Sequence, residues 1–220
     1  MTRKSRFLQI LAALVVLIIA LPVLLMCVVL ILVIDRQPPL FAAQRLKAGC
    51  RPFTMWKLRT MRGADDGLPT GADKTNRITR LGAVLRRLRL DELPQIWNVL
   101  VGDMNFIGPR PPTPAAAAQF PEEFDKILSI APGVTGLGTV SLALEEQRIM
   151  ASSRSMSELE ATYVTKILPC KFQIEHHYRE HKSIRLDCWI MWKTLAVVLA
   201  SPSGGSMPGR RSVIVQGAYR

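Results

Sequence analysis

"FLQILAALVVLIIALPVLLMCVVLILVI", residues 7–34, carries one polar side chain, Gln9, and no comparable apolar run follows it. As a continuous helix at 1.5 Å per residue it would reach about 40 Å, beyond a hydrocarbon core of ~30 Å. Pro22 stands near its middle, where a proline removes a backbone donor and clashes with the preceding turn. Two arrangements fit. One is a kinked, tilted single span. The other is a helix, a break at Pro22 and a second helix, entering one leaflet and returning to the same face. The flanking charges do not choose between them, since Arg3, Lys4 and Arg6 precede the run while Asp35 and Arg36 follow it. The stretch is about twice the apolar length of a signal peptide and lacks a small-residue cleavage site, so it is expected to stay as an anchor.

Outward from this anchor the chain is basic, with 29 Lys and Arg against 17 Asp and Glu and a net charge of +12. That balance favours anionic partners: phospholipid, phosphorylated substrates or nucleic acid. The four cysteines, Cys27, Cys50, Cys170 and Cys188, form no CxxC pair, which argues against a zinc module and against a disulfide framework. "PLFAAQRL" and "RPFTMWKL", separated by "KAGC" (47–50), read as a β-hairpin. Residues 62–76, rich in Gly and Asp, read as a loop. From Arg77 the apolar residues Ile78, Leu81, Leu85 and Leu88 recur at helical spacing. A further helix is expected from Ser157, where "SELE" forms a capping box, with an interruption at Pro169 before "FQIEHHYREH". Residues 187–200, with Trp189 and Trp192, are too short to span a bilayer and suit a core or interfacial helix. The Ser/Gly/Pro-rich tail from Ser201 is expected to be disordered.

Chemistry concentrates in "RLRLDELPQIW", residues 87–97, where Asp91 and Glu92 follow a run of arginines. Proline is tolerated in a first helical turn, so Pro94 predicts a helix beginning at Asp91. Its dipole would favour either a carboxylate or a substrate phosphate at that end. Capping alone explains an Asp followed by Glu. Downstream, however, "GPRPP" holds Arg110 between prolines, a rigid presentation suited to paired contacts with phosphate oxygens. Lys57 and Arg59 in "WKLRTM" add further cations. Carboxylates, fixed cations and an anchor together point to phosphoryl transfer at a bilayer surface.

The anchor with its central proline, "LFAAQR", "KLRTM", "RITRLGAVLRRLRLDELPQIWNVLVGDMNFIGPRP", "PGVTGL" and "RLDCWIMWKT" together resemble the monotopic phosphoglycosyl transferases, or bacterial sugar transferases. The resemblance covers nearly the whole chain. It implies an α+β, predominantly α, architecture: a re-entrant membrane helix over 1–36, a helical catalytic domain with a small β-hairpin over 37–200, and a basic tail over 201–220. It also implies transfer of a sugar 1-phosphate from a UDP-sugar to polyprenyl (undecaprenyl) phosphate, initiating glycan assembly. In that reading Asp91 is the nucleophile, forming a covalent phosphosugar intermediate, and is the carboxylate at which Mg2+ assists. Glu92 supports Asp91 or the metal, and Arg110, Lys57 and Arg59 hold phosphate. Pro22 marks the membrane break, and the site faces the cytoplasm at a bacterial inner membrane.

Several positions depart from the family's pattern. Ala131 stands where an arginine usually precedes "PG(I/V)TG", Leu21 replaces a serine before the anchor proline, and Leu58 replaces phenylalanine. The acidic residue common near the start of the anchor is absent, "RFLQ" standing instead. After "PGVTGL" the chain reads "GTVSLALEEQ", which points to a different sugar or subfamily. "HYREH", with His177, Glu180 and His181, matches an inverted zinc-peptidase pattern but has no convincing third ligand. No nucleic-acid motif accompanies the arginines of residues 77–89, so nucleic acid is not expected as a partner. The alternative from another class is a non-catalytic anchored scaffold that binds anionic lipid or nucleic acid through its basic face.

Overall fold

The computed structural model describes residues 3–63, 77–142 and 162–200. The loop beyond Gly63, the Ser157 capping box and the tail from Ser201 lie outside the described residues.

Helix α1 (Arg3–Leu30) contains Pro22 and continues through one π-helical turn, Ile31–Asp35, that ends at Arg36 in the left-handed region. Arg6–Asp35 is long and apolar enough to cross a membrane. Pro22 lies inside this helix, with helical backbone on both sides of it. Most of the surface of α1 is exposed apolar side chain, from Phe7 through Ile18 and Met26 to Val33. Its small or inward residues meet the body: Ala13, with Leu17 and Ala20, packs on Phe53, Met55, Ile96 and Val99. Further along, Cys27 and Ile31 pack on Leu58 and Leu85. Polar contacts hold both ends. The Arg6 guanidinium donates to the carbonyls of Val99 and Leu100, 2.8 Å each, and Thr79 Oγ1 donates to Asp35 Oδ2 at 2.7 Å.

The expected hairpin is present as β1 (Leu40–Lys47) and β2 (Arg51–Leu58), antiparallel, with Ala43 opposite Met55 and Arg45 opposite Phe53. Gly49 and Cys50 turn the chain with positive φ. Because side chains alternate along a strand, Phe53, Met55 and Lys57 share one face of β2, and Ala43 and Arg45 share the matching face of β1. Asn98 covers the outer edge of β2. Its Oδ1 accepts from the Trp56 N–H at 3.1 Å, and its Nδ2 donates to the Thr54 carbonyl at 2.8 Å. One amide side chain thereby satisfies a donor and an acceptor that a two-stranded sheet leaves open.

Helix α2 (Arg80–Arg87) starts later than the apolar periodicity predicts, because Thr79 caps it through the Gly82 N–H and Ile78 bridges to Met61. A Cβ at Gly82 would lie 2.2 Å from the Thr60 carbonyl oxygen, so glycine is what lets α2 close on the end of β2. The chain then turns at Arg89 in the left-handed region, makes a short 3-10 turn at Leu90–Glu92, and enters α3 (Gln95–Val101) with Pro94 at its N-cap. This corrects the expectation of a helix starting at Asp91. The acidic pair lies in the tight turn ahead of α3, and Gly102 ends that helix with φ 93°.

Strands β3 (Asn105–Ile107) and β4 (Gly133–Thr135) pair in parallel and enclose α4 (Pro114–Gln119) and α5 (Pro121–Ile127) in sequence. A Cβ on Gly133 would stand 2.1 Å from the Gly108 nitrogen, so "PGVTG" fixes the "GPRP" loop by backbone-to-backbone approach. The Gly108 N–H donates to Thr135 O and the Gly133 N–H to Pro109 O. A helical turn begins at Leu137, and the chain is again helical from residue 162. Pro169 does not interrupt this last stretch. A π-helical turn at Tyr163–Ile167 precedes α6 (Leu168–His181), and the Leu168 N–H bonds to Tyr163 O. That widened turn absorbs the N–H missing at Pro169. Helix α7 (Ile184–Ala200) buries Ile190 and exposes Trp192. The fold is α+β and mostly α, as expected.

Candidate active site

Four of the five charged residues singled out in the sequence converge. Burial in the turn before α3 leaves Asp91 8% exposed. Glu92 turns toward cations from three elements. Arg110 Nη2 lies 3.1 Å and Lys57 Nζ 3.6 Å from its Oε1, and Arg89 Nη1 lies 3.7 Å from its Oε2. The β3–β4 ladder holds Arg110, β2 delivers Lys57 at the end of its inward face, and the left-handed turn delivers Arg89.

Arg59 follows Lys57 by two residues, yet its Nε donates to the Pro38 carbonyl at 3.0 Å and its guanidinium lies over the Phe41 ring. It props the segment between α1 and β1. Sequence reasoning also missed contributors. Arg89 pairs with Glu92, and Arg86 adds positive charge near Asp91 while donating to Thr60 Oγ1 at 2.7 Å. Gln95, one helical turn after Asp91, is buried, and its Nε2 has no partner among the described residues. The arginine run and the motif "LDELPQ" contained these residues, but spacing did not separate them from solvent-facing neighbours.

The two acids are electrostatically unlike. Burial would raise the Glu92 pKa, but Arg110, Lys57 and Arg89 overcome it and hold the carboxyl at about 2. Asp91 is pushed upward, first by burial and then by the Glu92 charge, with Lys57, Arg86 and Arg110 opposing. Burial and Arg110 lower Lys57 to about 8 against the pull of the two acids. None of the ion pairs among the described residues ends on Asp91. The cluster therefore holds one carboxylate committed to structural charge pairing and one available to an incoming group.

Elsewhere, His177 and His181 stack on each other, with ring centroids 4.2 Å apart, while Glu180 pairs with Arg179. Among the described residues no three His, Cys, Asp or Glu gather in a way that could hold a metal ion by themselves.

Residues 2–201 match the family model described as bacterial sugar transferase. The chain is 31% identical over 202 residues to a UDP-N-acetylgalactosamine-undecaprenyl-phosphate N-acetylgalactosaminephosphotransferase of Aeromonas hydrophila, covering 89% of this chain and 43% of the relative. It is 36% identical over 162 residues to a UDP-glucose:undecaprenyl-phosphate glucose-1-phosphate transferase of Caulobacter vibrioides, covering 67% of this chain and 60% of the relative. A UDP-galactose-lipid carrier transferase of Erwinia amylovora is 28% identical over 219 residues, covering 89% and 41%. The chain thus spans about half the length of these relatives. Since the matched region includes the anchor, the acidic turn and the arginine loop alike, the chain belongs to the bacterial sugar transferase family.

Proposed function

We propose that this protein is a phosphoglycosyl transferase that moves a sugar 1-phosphate from a UDP-sugar to polyprenyl (undecaprenyl) phosphate and so initiates glycan assembly. The observation that carries the reading is the division of labour in the acidic pair. Three cations engage Glu92, and Asp91 sits beside it, buried and outside those ion pairs. In this mechanism an Asp91 oxygen attacks the sugar-bearing phosphorus. The bond from that phosphorus to the bridging oxygen breaks, and UMP leaves with the electron pair. An oxygen of the lipid phosphate then attacks the same phosphorus and releases Asp91 as a free carboxylate. Arg110 and Lys57 steady the anionic diphosphate as it approaches, and Glu92 keeps both cations in place.

A divalent cation such as Mg2+ fits the donor set. Glu92 is saturated by cationic neighbours, whereas Asp91 offers oxygens, and Mg2+ is commonly held by one or two carboxylates plus substrate phosphates and water. Bound there, it would neutralise phosphate charge.

The packing of α1 supports a re-entrant anchor over residues 1–36, with the transferase body over 37–200. A spanning helix leaves its soluble body at one end. Here Arg6 and Asp35 are separated by about 44 Å if the helix is straight, yet both touch the same body, as do Ala13 and Ile31 between them. The exposed apolar side of α1 would lie in lipid, with the site at the cytoplasmic face of a bacterial inner membrane.

Incubating the membrane-reconstituted protein with radiolabelled UDP-sugars and undecaprenyl phosphate tests the reading. A chloroform-soluble labelled lipid from one sugar is expected. Unlabelled lipid across a panel of UDP-glucose, UDP-galactose and their N-acetylated forms would return the protein to a binding role.

A further inference from the structure

Beside the acidic cluster lies a groove of about 1000 Å³, counted out to its open mouth. The proline-rich loop around Arg110, α4, α5, the turn at Tyr163 and α6 wall it. Its floor is aromatic: Phe172 meets Phe120 and Phe124 edge-on, with centroids 5.6 and 5.2 Å apart. Arg45 and Lys171 line it together with Arg110. Arg110 is also one of the three cations that pair with Glu92, so the groove and the acidic cluster share this residue.

Glu175 belongs to this groove and is 4% exposed. Neither of its carboxylate oxygens has a hydrogen-bond partner of standard geometry among the described residues. Its polar surroundings are the Lys171 ammonium and the Arg110 backbone N–H. Room for the carboxylate is made by Gly138, where a Cβ would stand 2.5 Å from Oε1. A buried carboxylate approached only by one ammonium and one poorly aligned backbone N–H among the described residues keeps acceptor capacity unused, and such groups in native proteins commonly await a ligand. Two adjacent acceptor oxygens match a pair of neighbouring hydroxyls.

We propose that the groove is the leaving-nucleotide subsite, taking the nucleoside monophosphate half of the nucleotide sugar, with Glu175 accepting hydrogen bonds from the ribose hydroxyls. The inference rests on the phosphosugar-transfer reading and adds the direction in which the substrate lies. A sugar also carries hydroxyls, but two observations favour the nucleotide. The aromatic floor suits a flat base. Arg45 and Lys171 supply positive charge beyond Arg110, which a second phosphate requires and a neutral sugar does not.

The test is equilibrium binding of radiolabelled UMP and uridine to the full chain in lipid nanodiscs, with AMP as the base control. Thermal unfolding of each variant verifies that it is folded. Lys171→Ala is expected to weaken UMP at least about tenfold and to leave uridine within threefold. Glu175→Gln should weaken both about tenfold. UMP binding within twofold of wild type in both folded variants would overturn the proposal. So would a changed preference among UDP-sugars with unchanged UMP affinity, which would place the sugar in the groove. If wild type makes labelled lipid but UMP binds independently of Glu175 and Lys171, the groove assignment fails and transfer stands. If UMP binds in a Glu175-dependent way but no sugar phosphate is transferred, the groove stands and the transfer reading fails.

Discussion

Asn98→Leu isolates the device that joins the acidic turn to the hairpin. The substitution keeps the branched heavy-atom skeleton, so it removes polar contacts without opening a cavity. It leaves the Trp56 N–H and the Thr54 carbonyl on the edge of β2 unpaired, groups that Asn98 now meets at 3.1 and 2.8 Å. Each unsatisfied buried group costs about 1–3 kcal/mol, and water reaching the half-buried strand edge offsets part of that. A net loss of about 3 kcal/mol corresponds to a fall in Tm of about 6–12 °C for a chain of this size. Asn98→Asp should do at least as much damage. It keeps the acceptor for Trp56 but turns a carboxylate toward the Thr54 carbonyl and toward Asp103, now 3.4 Å from Nδ2. Thermal unfolding in one detergent, followed by near-UV circular dichroism, reads both variants. A Tm within 2 °C of wild type for Asn98→Leu would refute the idea that this amide ties α3 to β2.

Other outcomes follow from the same contacts. Arg110→Lys keeps charge but loses the planar fork, so kcat/KM should drop at least about tenfold, roughly 1.4 kcal/mol of transition-state stabilisation. Arg59→Ala, whose guanidinium faces Pro38 and Phe41, should stay within about threefold of wild type, with both variants followed by UMP release from the UDP-sugar. Burial holds the Glu175 carboxyl up at about 7 despite Lys171 and the Arg110 N–H, against 4.5 as the ordinary value. The folded state therefore binds the extra proton between those values, and stability falls as pH rises through that window. Glu175→Gln should be nearly neutral at pH 5 and more stable than wild type by up to about 3 kcal/mol at pH 8. Equal effects at the two pH values in urea titrations would contradict this. For the anchor, single cysteines at positions 2 and 40, in a background with the native cysteines replaced, should both resist an impermeant thiol reagent in intact cells. Labelling at position 2 alone would show a true span.

How far the sequence could be read depended on whether local or distant contacts decide each feature. The hairpin was legible because β1 and β2 alternate and "KAGC" supplies the turn, and the acidic pair was legible because few motifs place carboxylates behind so many arginines. The start of α3 was not. Arg89 adopts a left-handed conformation and Leu90–Glu92 tightens into a 3-10 turn, and neither leaves a mark in composition. Arg59 looked equivalent to Lys57, but β2 ends at Leu58, so Arg59 lies beyond the strand and its side chain turns to Pro38 and Phe41. Nothing in "FQIEHHYREH" marks Glu175 as buried. Its burial comes from Gly138, far away in sequence, and from the proline-rich loop, so no window around it could show it. Pro169 looked like a breaker because the π-helical turn that accommodates it has no compositional signal.

The central claim is that Asp91, and not Glu92, becomes covalently linked to the phosphosugar. Intact-protein mass spectrometry of the purified, lipid-reconstituted chain, mixed with UDP-sugar and no lipid acceptor, tests it most directly. Asp91→Asn removes the nucleophile while nearly preserving size, and at a buried site where ionisation is already disfavoured it should leave folding unchanged. Wild type should gain the mass of one sugar phosphate, with tandem fragmentation placing it on Asp91, and the Asn variant should gain nothing. An adduct of equal yield on folded Asp91→Asn, or one that maps to Glu92, would contradict the account.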